Sequence, residues 1–214
     1  TNTPLTIDHH IHSVRRALDL LELRDVAVVG HDSGGMIARH AVAGDARLRA
    51  LGLIDTEQST GLSWKFKSFI AGRRVPGFGA ALGWLAGRPR LRRNRLVLGD
   101  AFADRSLLDG EFDEFFLQPL HRSRTHRDAA IRLLKSFDHQ HVRDLAELHR
   151  QIDVPVQLVW GEEDRFFPVE WAREMVADFP DAQLEVIAGA GLFSHEERPA
   201  EVARALLPVL ANAR

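Results

Sequence analysis

The sequence contains no cysteine and no tyrosine among its 214 residues. Without cysteine the chain cannot form a disulfide, a thiolate metal site or a cysteine nucleophile. This lack is compatible with a cytoplasmic location. Without tyrosine, no phenolic hydroxyl is present to act as an acid in a reaction site.

A strong charge of either sign and a long apolar run are also lacking. The formal net charge is −2, and this near-neutral balance argues against nucleic-acid binding driven by positive charge. No apolar run approaches the roughly 20 residues of a membrane-spanning helix. His9, His10 and His12 cluster like metal ligands, but they lie on a predicted helix without paired carboxylates. We therefore expect no nucleic acid, no membrane and no metal as partners.

Four short apolar runs are typical of buried strands. They cover residues 26–29, 51–54, 156–160 and 184–187. Apolar residues at spacings of three and four predict a helix over 7–22 and a final helix over 200–210. Strands that alternate with helices predict an α/β fold with a parallel sheet and helices on both faces.

About a hundred residues separate the second and third predicted strands, far more than a simple crossover needs. Residues 64–95 carry nine Lys or Arg and no acid, whereas 109–116 are acidic and aromatic. We predict a helical lobe at 59–150, two of its helices within 127–150, inserted into a core of 1–58 and 151–214. The basic stretch is interpreted as a solvated helical face or as a surface that steers anionic substrates.

The most informative motif is the run GHDSGG at residues 30–35, between a predicted strand and a predicted helix. It is typical of a nucleophile elbow, a strained turn that lifts one side chain above the sheet. The frame small-x-nucleophile-x-small places Asp32 between Gly30 and Gly34, whereas a frame centred on Ser33 would put Asp32 at a small-residue position. The Asp32 carboxylate is expected to attack carbon and form an ester, unless it only caps the following helix.

These residues resemble the α/β-hydrolase fold superfamily, and within it the haloalkane dehalogenase and epoxide hydrolase group, which carries Asp in a GHDxGG elbow. Further matching pieces are 55–57, 160–164 with Pro168, and 195–199. The resemblance covers almost the whole chain, and the inserted lobe matches a cap domain. It implies hydrolysis of a small organic substrate (a haloalkane, haloacid, ester or epoxide) without a cofactor.

The resemblance also implies a second carboxylate that orients a histidine, and a histidine that activates water. The pattern GxxDxxxP is met at Gly161, Asp164 and Pro168, so Asp164 is the expected acid. Glu57, after the second predicted strand, is the alternative acid. The backbone N–H of Ser33 is expected to hold the developing oxyanion or halide.

The histidine departs from this pattern. Leu192 occupies the position where such enzymes carry the catalytic histidine, and leucine cannot move a proton. His195, three residues later, is the proposed base in a re-routed loop, or else a surface histidine in the first turn of a helix. If the base has been lost, the protein is instead a binding or interaction protein on the same scaffold.

Substrate-pocket candidates are His31 beside the elbow and Trp64 and Trp84 in the lobe, where the two tryptophans are halide-gripping or packing aromatics. Haloalkane dehalogenases place a Trp directly after the nucleophile, where this chain has Ser33. Epoxide hydrolases of this group protonate the opening ring with cap tyrosines, so the lack of tyrosine argues against epoxides.

No His-Gly pair occurs in the sequence. Enzymes of this type supply a second oxyanion-binding N–H from a His-Gly-x-Pro loop after an early strand. Four strands also make a thin sheet. We therefore expect the early strands and this loop to lie before Thr1, or half of the oxyanion hole to be absent.

Overall fold

The computed structural model describes residues 3–211 and contains a four-stranded, fully parallel sheet. The strands lie side by side in chain order: β1 (Val26–His31), β2 (Leu48–Ile54), β3 (Val156–Gly161) and β4 (Ala182–Ile187). Each strand contains its predicted apolar run. All four are longer than predicted because backbone pairing continues into polar and glycine residues, as where His31 pairs with Ile54.

Helices connect and flank the strands. They are α1 (Ile7–Leu20), α2 (Ser33–Val42), α3 (Trp64–Gly72), α4 (Phe78–Ala86), α5 (Pro89–Arg92), α6 (Gln118–Arg122), α7 (Arg124–Ser136), α8 (His139–Arg143), α9 (Leu145–Arg150), α10 (Val169–Met175), α11 (Ser194–Glu197) and α12 (Pro199–Ala211). Short 3₁₀ turns lie at Arg105–Asp109 and Val176–Asp178, and a π turn lies at Asp113–Leu117. No helix within 3–211 is long and apolar enough to cross a membrane.

The alternation of side chains along the strands divides the core between the two faces of the sheet. On one face, strand residues pack against α2, α10 and the lobe in a single large cluster. On the other face, Ile54 and Val159 pack against Val202 and Leu206 of α12. The predicted parallel sheet with helices on both faces is therefore confirmed.

The segment between β2 and β3 contains the helices α3 to α9. The two helices predicted within 127–150 are three: the Asp138 side chain caps the start of α8, and the helical run is interrupted again at Asp144, before α9. The last of them, α9, contacts α2 of the core. In the basic stretch, Arg92 is buried and pairs with Asp109 (2.8 Å) and Asp113 (2.5 Å) of the acidic stretch.

Candidate active site

Asp32 lies on the sharp turn between β1 and α2. Its backbone has φ 49° and ψ −135°, a conformation that residues with a side chain rarely adopt. Its N–H donates to the carbonyls of Ile54 (3.3 Å) and Asp55 (3.1 Å). Its carbonyl accepts from the Gly35 N–H (2.9 Å) and from Thr56 Oγ1 (2.7 Å). Neighbouring backbone thus holds the strained turn that the sequence predicts.

Two glycines make this turn possible. A Cβ on Gly30 would lie 2.6 Å from the Cα of Gly35, and a Cβ on Gly35 would lie 2.5 Å from Thr56 Oγ1. A Cβ on Gly34 would meet nothing within 4 Å. The close packing of the elbow therefore requires Gly30 and Gly35, whereas the sequence frame assigned that part to Gly30 and Gly34.

A cavity of about 480 Å³ opens beside the elbow, within the range of roughly 300–1,000 Å³ that small-molecule sites occupy. Asp32 and Ser33 line its floor, and His126 is the other ionisable residue of its wall. Eight phenylalanines and several aliphatic side chains form the rest, mostly from the lobe. No lysine or arginine is among these lining residues. The cavity suits a small, apolar and uncharged molecule.

The predicted tryptophans do not line this cavity. Trp64 is 72 % exposed and Trp84 is 50 % exposed, whereas Phe66 and Leu82, two positions away on the same helices, do line it. Residues two apart on a helix point to nearly opposite sides, which is why the tryptophans face away. The Trp84 ring instead lies under the guanidinium of Arg88, at 3.6 Å.

His31 is also absent from the cavity wall. Its Nε2–H donates to the Leu192 carbonyl (2.8 Å), which joins the elbow to the loop after β4. Burial lowers the pKa of His31. His31 was predicted to line the substrate pocket. In the structure its side chain instead links two loops.

Four carboxyl groups near the elbow have raised pKa values. Burial, and then the charge of Asp164, raise the pKa of Asp55 well above its usual value. Burial raises the pKa of Asp32 to about 6, against polar contacts from the Ser33 N–H and hydroxyl. Burial, and then the charge of Asp32, raise the pKa of Glu57 to about 7. Burial, with a contribution from Asp32, raises the pKa of Asp164 to about 8. Asp32 thus interacts electrostatically with both candidate acids.

Asp164 follows β3, where the sequence places it. Its Oδ1 accepts from the N–H groups of Phe166 (2.7 Å) and Phe167 (3.0 Å). Its Oδ2 is buried and has no hydrogen-bond partner within the described part of the chain. One oxygen of this carboxyl group is therefore fixed by the loop, while the other remains unused.

Glu57 is fully buried, and two hydroxyl groups lie against its carboxyl oxygens. Ser33 Oγ donates to its Oε1 (2.9 Å), and Thr56 Oγ1 lies 3.1 Å from its Oε2. Because Ser33 lines the cavity and Glu57 does not, the Ser33 hydroxyl stands between the Glu57 carboxyl group and the cavity.

His195 is not brought to Asp32 or Asp164. Within residues 3–211, the one carboxylate within 4 Å of its ring nitrogens is that of Glu196, at 3.7 Å. Its ring lies 4.3 Å from the ring of His31, and its buried Nδ1 has no hydrogen-bond partner there. Burial, and then His31, lower the pKa of His195 to about 4, so the ring is neutral at pH 7.

The loop around His195 is fixed by contacts that the sequence analysis did not anticipate. The Asp55 carboxylate accepts from the Ser194 hydroxyl and from the Gly161 N–H (2.7 Å), so it ties this loop to β3. Leu192 is buried in the core cluster. These contacts keep Leu192 inside and place His195 beside His31.

Arg39 is a second residue that sequence reasoning missed. This fully buried side chain of α2 donates to the carbonyls of Gly35 (3.0 Å) and Glu57 (2.7 Å) and to Thr56 Oγ1 (2.9 Å). Its Nη1 lies 3.0 Å from Nε2 of His149, which must accept because guanidinium only donates. The signal in the sequence was a single arginine within the apolar run that follows the elbow.

The sequence matches the alpha/beta hydrolase family over residues 2–205. An uncharacterized hydrolase, YugF of Bacillus subtilis (strain 168), is 26 % identical over 183 residues, covering 85 % of this chain and 64 % of that protein. A 2-hydroxy-6-oxononadienedioate/2-hydroxy-6-oxononatrienedioate hydrolase of Cupriavidus pinatubonensis is 23 % identical over 200 residues, covering 93 % of this chain and 66 % of its own. The chain thus spans a little under two thirds of the length of these relatives.

Solved structures show the same fold. The bromoperoxidase of Bacillus anthracis aligns with a TM-score of 0.73 at 16 % identity, covering 97 % of this chain and 75 % of its own. The 2-hydroxy-6-oxo-6-phenylhexa-2,4-dienoate hydrolase of Rhodococcus sp. strain RHA1 aligns with a TM-score of 0.75 at 14 % identity, covering 98 % and 74 %. The narrower resemblance to dehalogenases and epoxide hydrolases stays a prediction. Sequence match and fold agree over nearly the whole chain, which therefore belongs to the alpha/beta hydrolase family.

Proposed function

We propose that this protein is a hydrolase for small apolar organic substrates and that it acts through an ester on Asp32. The observation that carries the proposal is the carboxylate of a strained elbow that opens into an apolar cavity. In the first step, a carboxylate oxygen of Asp32 forms a bond to a substrate carbon. The bond from that carbon to a halide or an alkoxide-type oxygen breaks, and the leaving group takes the electron pair.

The surroundings of Asp32 favour this step. With a pKa of about 6, the carboxyl group is mostly ionised at neutral pH. Few polar groups solvate it, because the cavity wall is mainly hydrocarbon. The Ser33 N–H, at the start of α2, is the donor proposed to hold the leaving charge.

The cavity also narrows the substrate class. The hydrolases in the comparisons are named for dienoate and dienedioate substrates, which carry carboxylates. Because no lysine or arginine lines this cavity, we favour an uncharged substrate over a haloacid. Since tyrosine is absent from the sequence, a haloalkane fits better than an epoxide.

Hydrolysis of the ester needs a group that activates water. The sequence proposes His195 for this step, with Asp164 as its orienting acid. The free Nδ1 of His195 and the free Oδ2 of Asp164 are compatible with such a pair, but they would have to approach each other. A pKa of about 4 also makes His195 a weak base at neutral pH.

The second candidate is a binding protein that uses the cavity without turnover. Leu192 in the usual histidine position is the observation that favours it. In this case Asp32 would carry no ester, or would form one that persists.

Intact-mass spectrometry after incubation with 1-bromohexane, 2-bromohexanoate, styrene oxide and phenyl acetate tests the proposal. We expect product release, or a covalent adduct on Asp32, with the uncharged haloalkane. Asp32→Ala should abolish both, whereas the exposed Asp153→Ala should behave like the wild type. Binding of 1-bromohexane without adduct or product would favour the second candidate.

A further inference from the structure

We infer that Glu57, acting through the hydroxyl of Ser33, accepts the proton of the water that hydrolyses the Asp32 ester. The inference rests on the proposed function, because it concerns the second half of the same reaction. In this inference Glu57 accepts a proton instead of orienting a histidine. The Ser33 hydroxyl passes that proton on, while the Ser33 backbone N–H holds the leaving charge.

The geometry of the two side chains is that of a nucleophile-activating pair. Ser33 Oγ donates to Glu57 Oε1 at 2.9 Å, and Ser33 lines the cavity that holds the substrate. Ser33 directly follows Asp32 in the chain, and both line the same cavity. A water molecule that donates to Ser33 Oγ from the cavity side is therefore next to the carbonyl carbon of an Asp32 ester.

Glu57 is held firmly enough to serve as a fixed acceptor. Its Oε2 lies 3.1 Å from Thr56 Oγ1, and its carbonyl accepts from Arg39 at 2.7 Å. The carboxyl group has no exposed surface, so bulk water does not compete for it. Burial and the charge of Asp32 raise the pKa of Glu57 to about 7 while Asp32 is ionised. In the ester Asp32 is uncharged, so burial remains as the cause that raises this pKa, and Glu57 is more readily ionised and available to accept a proton near neutral pH.

The proton balance of the step is complete. The water oxygen bonds to the carbonyl carbon of the ester, its proton passes to Ser33 Oγ, and the Ser33 proton passes to Glu57 Oε1. The tetrahedral intermediate then expels the alkoxide, which takes the proton of the new Asp32 carboxyl group. An alcohol, the Asp32 carboxylate and a protonated Glu57 result, and the last returns its proton to solvent.

His195 has the weaker geometry for the same task. It does not line the cavity, and within the described residues its ring nitrogens contact no carboxylate other than that of Glu196. Glu57 needs no rearrangement, because its hydrogen bond to a cavity-lining hydroxyl is already present. The Ser33–Glu57 pair would thus take over the role of the histidine that the resemblance predicts at the position of Leu192.

The test measures single-turnover kinetics with 1-bromohexane by intact mass and by 1-hexanol release. Glu57→Gln should still form the hexyl ester on Asp32 but hydrolyse it about 100-fold more slowly, a typical contribution of a general base. Ser33→Ala should slow hydrolysis similarly. The exposed Glu170→Gln, the matched control, should hydrolyse the ester at the wild-type rate. His195→Gln distinguishes the two candidate bases, because it should accumulate the ester only if His195 activates the water.

The pH profile separates proton acceptance from a purely structural effect. In the ester Asp32 is uncharged, so the pKa of Glu57 lies below its value of about 7 in the free protein. The wild-type hydrolysis rate should fall about tenfold per pH unit below that lower pKa, whereas the residual rate of Glu57→Gln should not follow that titration. Circular dichroism checks that the variants are folded, and the ester formed by Glu57→Gln is itself evidence of an intact elbow.

Three results would overturn the inference. Accumulation of the ester in His195→Gln, with normal hydrolysis in Glu57→Gln, would make His195 the base. An ester that persists in the wild type would refute the hydrolytic step but leave the Asp32 nucleophile in place. An absence of both ester and product in the wild type would refute the proposed function and the inference together.

Discussion

Thr56 donates its hydroxyl hydrogen to the backbone carbonyl of Asp32 over 2.7 Å, which links the loop after β2 directly to the strained turn after β1. The same oxygen accepts from the buried guanidinium of Arg39 at 2.9 Å. Thr56 therefore connects the cation beneath the elbow to the residue proposed to attack the substrate.

Replacing Thr56 with valine removes this connection at nearly constant shape. The Asp32 carbonyl and one Arg39 N–H lose a partner in a fully buried setting. We expect the free energy of unfolding to fall by about 1–3 kcal/mol, the usual cost of leaving a buried polar group unpaired. Urea unfolding measures it, with Thr56→Ser as the matched control that retains the hydroxyl. A larger loss in Thr56→Ser than in Thr56→Val would show that packing of the methyl group matters more than the hydroxyl contacts.

Placing a histidine at position 192 should accelerate hydrolysis of the Asp32 ester. The resemblance predicts the catalytic histidine at this position, and Asp164 offers a buried Oδ2 without a partner in the described structure. We expect Leu192→His to raise the single-turnover hydrolysis rate at least about tenfold, since general bases contribute roughly 10²–10⁴-fold. Leu192→Gln is the control of similar size without proton transfer at neutral pH. Equal rates in the two variants would contradict the prediction.

The cavity wall should set the size of the substrate. Ala130 of α7 lines the cavity, whereas Ala80 of α4 is exposed and does not. We expect Ala130→Trp to reduce kcat/KM for 1-bromohexane by about tenfold or more, because the bulky ring takes space that the chain of the substrate needs. Ala80→Trp should leave kcat/KM unchanged. A comparable loss in both variants would mean that tryptophan disturbs the lobe rather than the cavity.

Ionisation of the buried Asp164 carboxyl group should lower the free energy of unfolding as the pH rises. Its carboxyl group titrates at about 8 in the folded chain, against an ordinary value of 3.8. A pKa raised on folding contributes stability that is complete below the unfolded pKa and lost as the pH rises through the folded pKa. Between the unfolded and the folded pKa, the free energy of unfolding falls by about 1.4 kcal/mol per pH unit at most.

Asp164→Asn removes this titration. Relative to the wild type, the variant should gain on the order of 2 kcal/mol or more in unfolding free energy between pH 5 and pH 8. Comparing the two pH values cancels any constant cost of the buried amide. Urea unfolding at both pH values measures the difference, and the exposed Asp153→Asn serves as control. If the free energies of unfolding of Asp164→Asn and the wild type differ by the same amount at pH 5 and at pH 8, Asp164 ionises as an ordinary aspartate.

Local sequence patterns were sufficient to predict features that residues adjacent in the chain encode. The apolar run before Gly30 forms β1, and the sequence GHDSGG forms the turn with Asp32 in a left-handed conformation. The pattern GxxDxxxP places Asp164 at the end of β3. In these cases residues adjacent in the chain carry the signal, although contacts with residues 54–56 hold the turn in the folded protein.

Residues that act through distant contacts were harder to predict. Arg39 reads as a residue within a helix, and only the packed structure places Thr56, Glu57 and His149 around its guanidinium. Trp64 and Trp84 lie in the predicted lobe, but the rotation of each helix turns them away from the cavity. Helix rotation depends on which face is buried, and a short apolar segment does not define that face uniquely.

The sequence by itself determined the parallel α/β architecture and the strained turn at Asp32, because periodicity and local turn chemistry encode them. That Leu192 stands in place of a catalytic histidine stays a prediction from the resemblance. The tertiary structure decided which polar side chains of the site contact one another. It placed Ser33 against Glu57, Ser194 against Asp55, and His195 against His31. These pairs join residues far apart in the chain, and the burial that shifts their pKa values arises only when sheet, loops and lobe pack together.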